Sequence, residues 1–142
     1  MENEVDLVTL PNARVTESHF WISEAPADDM VNRVDASLVD KGVLELDQVT
    51  LAWVVVSIEV RMTSADDESD VRMRAGAKVR SEVPYREGDD MDGAYISCIR
   101  EGVSLAASQL HVSTALSPIG LVTIPECDAR KILEAATGPS EA

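Results

Sequence analysis

From Leu51 to Met62 apolar and polar positions alternate with a period of two, in a run dominated by β-branched residues. Ala52, Val54, Val56, Ile58, Val60 and Met62 fall on one side; Trp53, Val55, Ser57, Glu59 and Arg61, on the other, grade from apolar to charged. Such alternation predicts a strand with one face in the core. The like-charged connector Ser64-Ala65-Asp66-Asp67-Glu68 reads as a hairpin loop. Beyond it Val71, Met73, Ala75, Ala77 and Val79 alternate with Asp70, Arg72, Arg74, Lys78 and Arg80 on the opposite face. Upstream, a strand is predicted over about residues 13–23, where Val15, Glu17, His19 and Trp21 interleave with Thr16, Ser18, Phe20 and Ile22. The acidic stretch Glu24-Ala25-Pro26-Ala27-Asp28-Asp29 breaks it. A short strand over about 31–39 then meets Asp40-Lys41-Gly42, read as a tight turn because glycine accepts positive φ. Four strands joined in this way imply an antiparallel sheet with one face covered and the other at least partly solvated.

After Pro84-Tyr85 the period changes. Gly88-Asp89-Asp90-Met91-Asp92 leads into a helix with Asp92 as its predicted N-cap. Tyr95, Ile99, Val103, Ala106 and Leu110 recur at three- and four-residue steps, the stripe of an amphipathic helix. Gly102 inside it costs about 1 kcal/mol of helix propensity relative to alanine, which close packing would justify. Ser117-Pro118 and Ile124-Pro125 bracket a connector, and a last amphipathic helix is predicted over 126–136. The fold class is therefore α+β, a four-stranded antiparallel sheet packed against a long helix and a short C-terminal one. Residues 1–12 read as an N-terminal arm, 13–136 as one domain and 137–142 as a flexible tail.

The composition is that of a globular protein, with 142 residues, 45% hydrophobic and 27% charged. A chain of this size buries roughly 70% of its unfolded surface. Twelve basic residues against 26 acidic ones give a net charge of −14, which repels a phosphate backbone and argues against nucleic-acid binding. There is no run of eighteen apolar residues for a membrane span, and Met1-Glu2-Asn3-Glu4 is acidic where a signal peptide is basic, so a cytoplasmic location is expected.

Candidate catalytic chemistry is sparse. His19 and His111 belong to no metal-binding or nucleophile motif, and no glycine-rich phosphate loop is present. Cys98 and Cys127 lack the spacing of a metal or redox pair, and Cys98 falls on the apolar side of the long helix, as a small hydrophobe does. The clusters Asp66-Asp67-Glu68-Ser69-Asp70 and Asp89-Asp90-Met91-Asp92 do not follow the ligand spacing of an EF-hand loop and read as solvated loops. No enzyme activity, cofactor or metal is expected.

Three segments carry a family resemblance. Arg14-Val15-Thr16-Glu17-Ser18-His19-Phe20-Trp21-Ile22-Ser23-Glu24-Ala25-Pro26 resembles the first strand of the SecB chaperone family, including the SecB-like chaperones that protect antitoxins. Residues 55–64 resemble that family's long third strand. Gly93-Ala94-Tyr95 through Ile124-Pro125 is similar to its helix and connector, with Ile99-Arg100-Glu101 standing where the family often has a Tyr-x-Arg-Glu-like element. The resemblance spans about residues 13–135 and implies an ATP-independent holdase assembled as a dimer of dimers. Its clients would be exported preproteins or a specific antitoxin, held in grooves between sheet and connector, and its export branch implies the SecA translocation motor as a further partner. The groove residues this implies are Phe20, Trp21, Trp53, Val55, Ile119, Leu121 and Val122, with Met62 and Met73 as adaptable apolar surface. The contrasting expectation is a structural, assembly or host-factor-inhibiting protein, such as a phage product, that uses the same scaffold without general client binding.

Overall fold

The computed structural model describes residues 11–23, 29–115 and 124–137. Strands β1 (Asn12–Ile22), β2 (Met30–Glu45), β3 (Thr50–Ser64) and β4 (Val71–Tyr85) are followed by helices α1 (Met91–Ala115) and α2 (Ala129–Thr137). The strands form one antiparallel sheet in the order β1-β4-β3-β2, so the chain crosses from one edge of the sheet to the other between its first two strands.

The period-two pattern of β3 and β4 decides which face is covered. Ala52, Val54, Val56, Ile58 and Val60 of β3 and Met73, Ala75, Ala77 and Val79 of β4 are buried beneath the helices. The predicted helical stripe meets them, with Tyr95, Ile99, Val103, Ala106 and Leu110 all buried. At Gly102 α1 lies close against β3: a Cβ there would lie 2.8 Å from Val56 Cγ2. That approach is what the glycine permits, at the expense of helix propensity. Helix α2 packs Ala129, Ile132 and Leu133 into the same core. Asp128 Oδ1 caps it, accepting from the amides of Arg130 at 3.0 Å and Lys131 at 3.3 Å.

The structure corrects four local expectations. Asp40-Lys41-Gly42 is not a turn: β2 runs on through it to Glu45, and the reversal comes at Leu46–Val49, where the Leu46 amide bonds to the Val49 carbonyl at 2.8 Å. Among the described residues positive φ occurs only at Asp29 and Gly88, so Gly42 is not there for backbone freedom. It lies opposite Trp53, and a Cβ there would stand 2.7 Å from the indole Cζ2. Asp92 lies inside α1, one residue past its start; Asp90 precedes the helix, and its carbonyl accepts the Ala94 amide at 3.0 Å. The last helix begins at Ala129, three residues later than expected, because Asp128 supplies the cap. Finally, the β1 register shifts between Val15 and Glu17. One extra residue moves every later side chain to the other face, so Val15 faces the helices while Glu17, His19 and Trp21 face away.

Candidate functional site

The face of the sheet turned away from the helices reads rung by rung from the strand register. Gly42, Trp53, Glu82 and Asn12 form the first rung, and Asp40, Val55, Arg80 and Arg14 the second. Ser37, Ser57, Lys78 and Glu17 follow, then Asp35, Glu59, Gly76 and His19, and last Arg33, Arg61, Arg74 and Trp21.

At the first two rungs Trp53, Arg80, Glu82 and Arg14 engage one another. Trp53 lies flat over Gly42, with the Arg80 guanidinium 4.5 Å above the ring centroid. Arg80 Nε also donates to Glu82 Oε2 at 3.3 Å, and Arg14 reaches Glu82 Oε1 at 3.8 Å. Farther along, Lys78 Nζ stands 3.9 Å from Glu17, and His19 Nε2 stands 3.4 Å from Glu59 Oε1. Gly76 leaves the space over which His19 and Glu59 meet: a side chain there would collide with both.

The helix side offers apolar surface of another kind. Between α1 and the segment that leads to α2 lies a cleft of about 310 Å³, lined by Val103, Ala107, Ile124, Pro125 and Cys127 with Arg100 and Glu126 at its rim. An adjoining hollow of about 530 Å³ extends along α1 past Ser104, Ser108 and His111 to Val112, which is 68% exposed. Both are shallow, and small side chains on α1 form their floor.

Reactive groups are quiet. Cys98 is fully buried, its Sγ 3.8 Å from the Ala52 carbonyl, and burial pushes the thiol up to about 11, so it is protonated and unreactive at neutral pH. Burial also raises the Cys127 thiol. Two carboxylates of the acidic loops are spent on their own turns. Asp67 accepts from the Ser69 hydroxyl at 2.6 Å and its amide at 3.0 Å, which holds its carboxyl below the ordinary value, and Asp89 accepts from the Arg86 amide at 2.9 Å. Among the described residues no group of three or more His, Cys, Asp and Glu converges as metal ligands would, and no helix is long and apolar enough to cross a membrane.

The expected groove residues do not form one patch. Trp53 and Val55 are half-buried on the outer face. Trp21 is on that face too, 49% exposed, but its β4 partner Arg74 is eight residues from the Trp53 partner Glu82. At about 3.3 Å per residue the two tryptophans are on the order of 26 Å apart along the strands. Phe20 points the opposite way, toward the helix layer, and is 37% exposed at the β1 edge. Met62 is half-buried opposite Met73, which is wholly buried and offers no surface. Ile119, Leu121 and Val122 lie outside the described residues. Sequence reasoning missed the cleft beside Ile124 and Pro125; the Ile-Pro pair that ends the connector was its one local signal. It also missed the arginine rung, because a rung joins residues far apart in the chain.

No protein-family model matches the chain, and no curated protein matches it by sequence. Among solved structures it is similar to the Mycobacterium tuberculosis Rv1957 SecB-like chaperone, solved in complex with a ChAD peptide from the Rv1956 HigA1 antitoxin. The TM-score is 0.59 at 13% identity, over 80% of this chain and 86% of that one. What the two chains share is the fold: a four-stranded antiparallel sheet backed by a long helix and a short C-terminal one.

Proposed function

We propose that this chain is a SecB-like, ATP-independent holdase, acting in the cytoplasm, that keeps unfolded or extended polypeptide soluble. One observation carries the reading: the chain has the fold of a chaperone solved with an antitoxin peptide, and it leaves large apolar side chains uncovered. Phe20, Trp21, Val39, Val43, Leu44, Leu46, Val49 and Val112 are all exposed. Extended clients are held by apolar contact and strand-like hydrogen bonding, which needs no catalytic group and no nucleotide. In this reading the client lies along the shallow α1 cleft beside Ile124 and Pro125, and Phe20 and the connector residues Ile119, Leu121 and Val122 stay candidate contacts. Among the described residues no strand pairs with the outer edges of β1 and β2, and these edges and an α1 flank of small residues are the surfaces on which a dimer of dimers would close. The client is an exported preprotein, with hand-over to the SecA motor, or a dedicated antitoxin.

The test is light scattering of a chemically denatured protein diluted into buffer with and without this chain at equal subunit ratios. Suppressed aggregation without ATP is expected, with loss of suppression in Leu121→Asp. No suppression removes the general holdase. A second reading, a scaffold that forms one fixed complex and ignores unfolded chains, gains from the state of Trp53, whose ring is already taken up by Gly42 and Arg80.

A further inference from the structure

The outer sheet face is a basic surface on an acidic protein. Six of the chain's twelve Lys and Arg residues stand on its rungs (Arg14, Arg33, Arg61, Arg74, Lys78 and Arg80), against five carboxylates, Glu17, Asp35, Asp40, Glu59 and Glu82, and Arg72 and Asp70 extend it by one cation and one carboxylate, in a chain of net charge −14. Most of these cations meet a carboxylate, as described above, and Arg72 pairs with Asp70 at 2.8 Å.

The last rung breaks the rule. Arg33, Arg61 and Arg74 are direct cross-strand neighbours on β2, β3 and β4, and the rung ends at Trp21 on β1. Like charges directly opposite one another in a sheet are destabilising. Arg33 is partly compensated, donating from Nε to Thr63 Oγ1 at 2.9 Å and standing 4.0 Å from Glu68. Arg61 and Arg74 make no ion pair with any described residue. Glu59, two positions from Arg61 on the same face, is turned across the sheet to His19.

We infer that the Arg61–Arg74 rung, with Trp21 beside it, is a docking site for a short acidic segment of a partner polypeptide. Charge complementarity selects the occupant. Two arginines on neighbouring strands, whose backbones lie about 4.8 Å apart, offer guanidinium forks that match paired carboxylates, each able to accept two hydrogen bonds. The exposed indole of Trp21 extends the rung with apolar contact area at its β1 end. A continuous polyanion fits poorly: the unpaired cations occupy a single rung, with Asp35 and Glu59 on one side and Glu68 and Asp70 on the other. A strand of phosphates running either way meets carboxylates, whereas a peptide with two acidic side chains does not.

The test is fluorescence anisotropy of a labelled peptide carrying two glutamates in an otherwise neutral sequence, titrated with the whole chain at low salt, with the same peptide bearing glutamines and a single-stranded oligonucleotide as parallel probes. The glutamate peptide alone should bind, and binding should vanish near 1 M salt, where the screening length is about 3 Å. Arg74→Glu should weaken binding at least about tenfold while its melting temperature holds or rises, because it converts a repulsive neighbour of Arg61 into an attractive one. A purely structural arginine would instead lose stability on reversal. Should Arg74→Glu fail to fold, Arg61→Gln, which removes charge without adding any, makes the same test. Undiminished binding in these variants, equal binding of the glutamine peptide, or binding of the oligonucleotide in place of the glutamate peptide overturns the proposal.

Discussion

The two faces of this sheet use the same strands and alternation and end in opposite states. On the inner face, methyl-bearing side chains of β3 and β4 meet α1 and α2, and Ala52, Val54, Val56 and Ile58 are wholly buried. On the outer face no element of the described chain covers the strands, and order comes from charges and an aromatic ring placed opposite one another. The difference shows what each kind of organisation needs. Apolar packing requires only the right side chain on the right parity, whereas a charge ladder requires the correct neighbour on the adjacent strand.

A substitution that leaves parity intact but empties the inner layer should therefore have the largest effect. Ile58→Ala should cost about 2 to 5 kcal/mol by urea denaturation, from lost transfer energy and the cavity left under α1. The matching outer-face change, Ser37→Ala at the exposed β2 neighbour of Ser57, should fall within about 0.5 kcal/mol. Similar losses from the two would show that the faces are not energetically distinct and that a partner covers the outer one.

The same contrast has a titration signature. Cys98 sits in the inner layer with its thiol pushed up by burial to about 11 from 9.0, and burial, then the charge of Asp92, also raises the Tyr95 phenol. Both groups keep their protons longer in the folded chain than in the unfolded one, so the native state binds more protons above pH 9 and stability falls as pH rises. For Cys98 alone the shift corresponds to a stability contribution on the order of 1 to 2 kcal/mol once partial solvent screening is allowed for. The loss should develop between pH 9 and 11 and be smaller in Cys98→Ala, as read from denaturation midpoints. An alkaline loss identical in that variant would place its origin elsewhere.

Much of the inner face was legible from the sequence, because parity on β3 and β4 and the three-four stripe on α1 are local patterns, and Val54, Val56, Met73, Ile99 and Leu110 are buried where those patterns put them. The outer face was not. Which residue stands beside Arg61 depends on the strand order β1-β4-β3-β2 and on register shifts at Val15/Glu17, Leu38/Asp40 and Met62/Thr63, none of which leaves a periodic trace. Gly42 shows the same limit. Its composition signal is that of a turn, but its reason is the indole of Trp53, eleven residues away in the chain and directly opposite in the sheet. Phe20 and Trp21 were expected in one groove and lie on opposite faces, as neighbours in a strand must.

The smallest effect sharpens the comparison most, because it asks whether one outer rung can be turned into another. Glu82 is the carboxylate that separates Arg14 from Arg80, which are direct cross-strand neighbours, and its side chain is only 18% exposed. Glu82→Gln keeps the shape and removes the charge, leaving two opposed guanidinium groups with Trp53 as the remaining partner of one. The rung would then resemble that of Arg61 and Arg74. We expect a loss of about 0.5 to 1 kcal/mol at low ionic strength, shrinking near 1 M salt as the repulsion is screened. The sign is opposite to that expected for Arg74→Glu, which adds a carboxylate where one is missing. If Glu82→Gln were neutral at every salt concentration, opposed arginines would cost this sheet nothing, and the uncompensated rung beside Trp21 would have no energetic reason to seek an acidic partner.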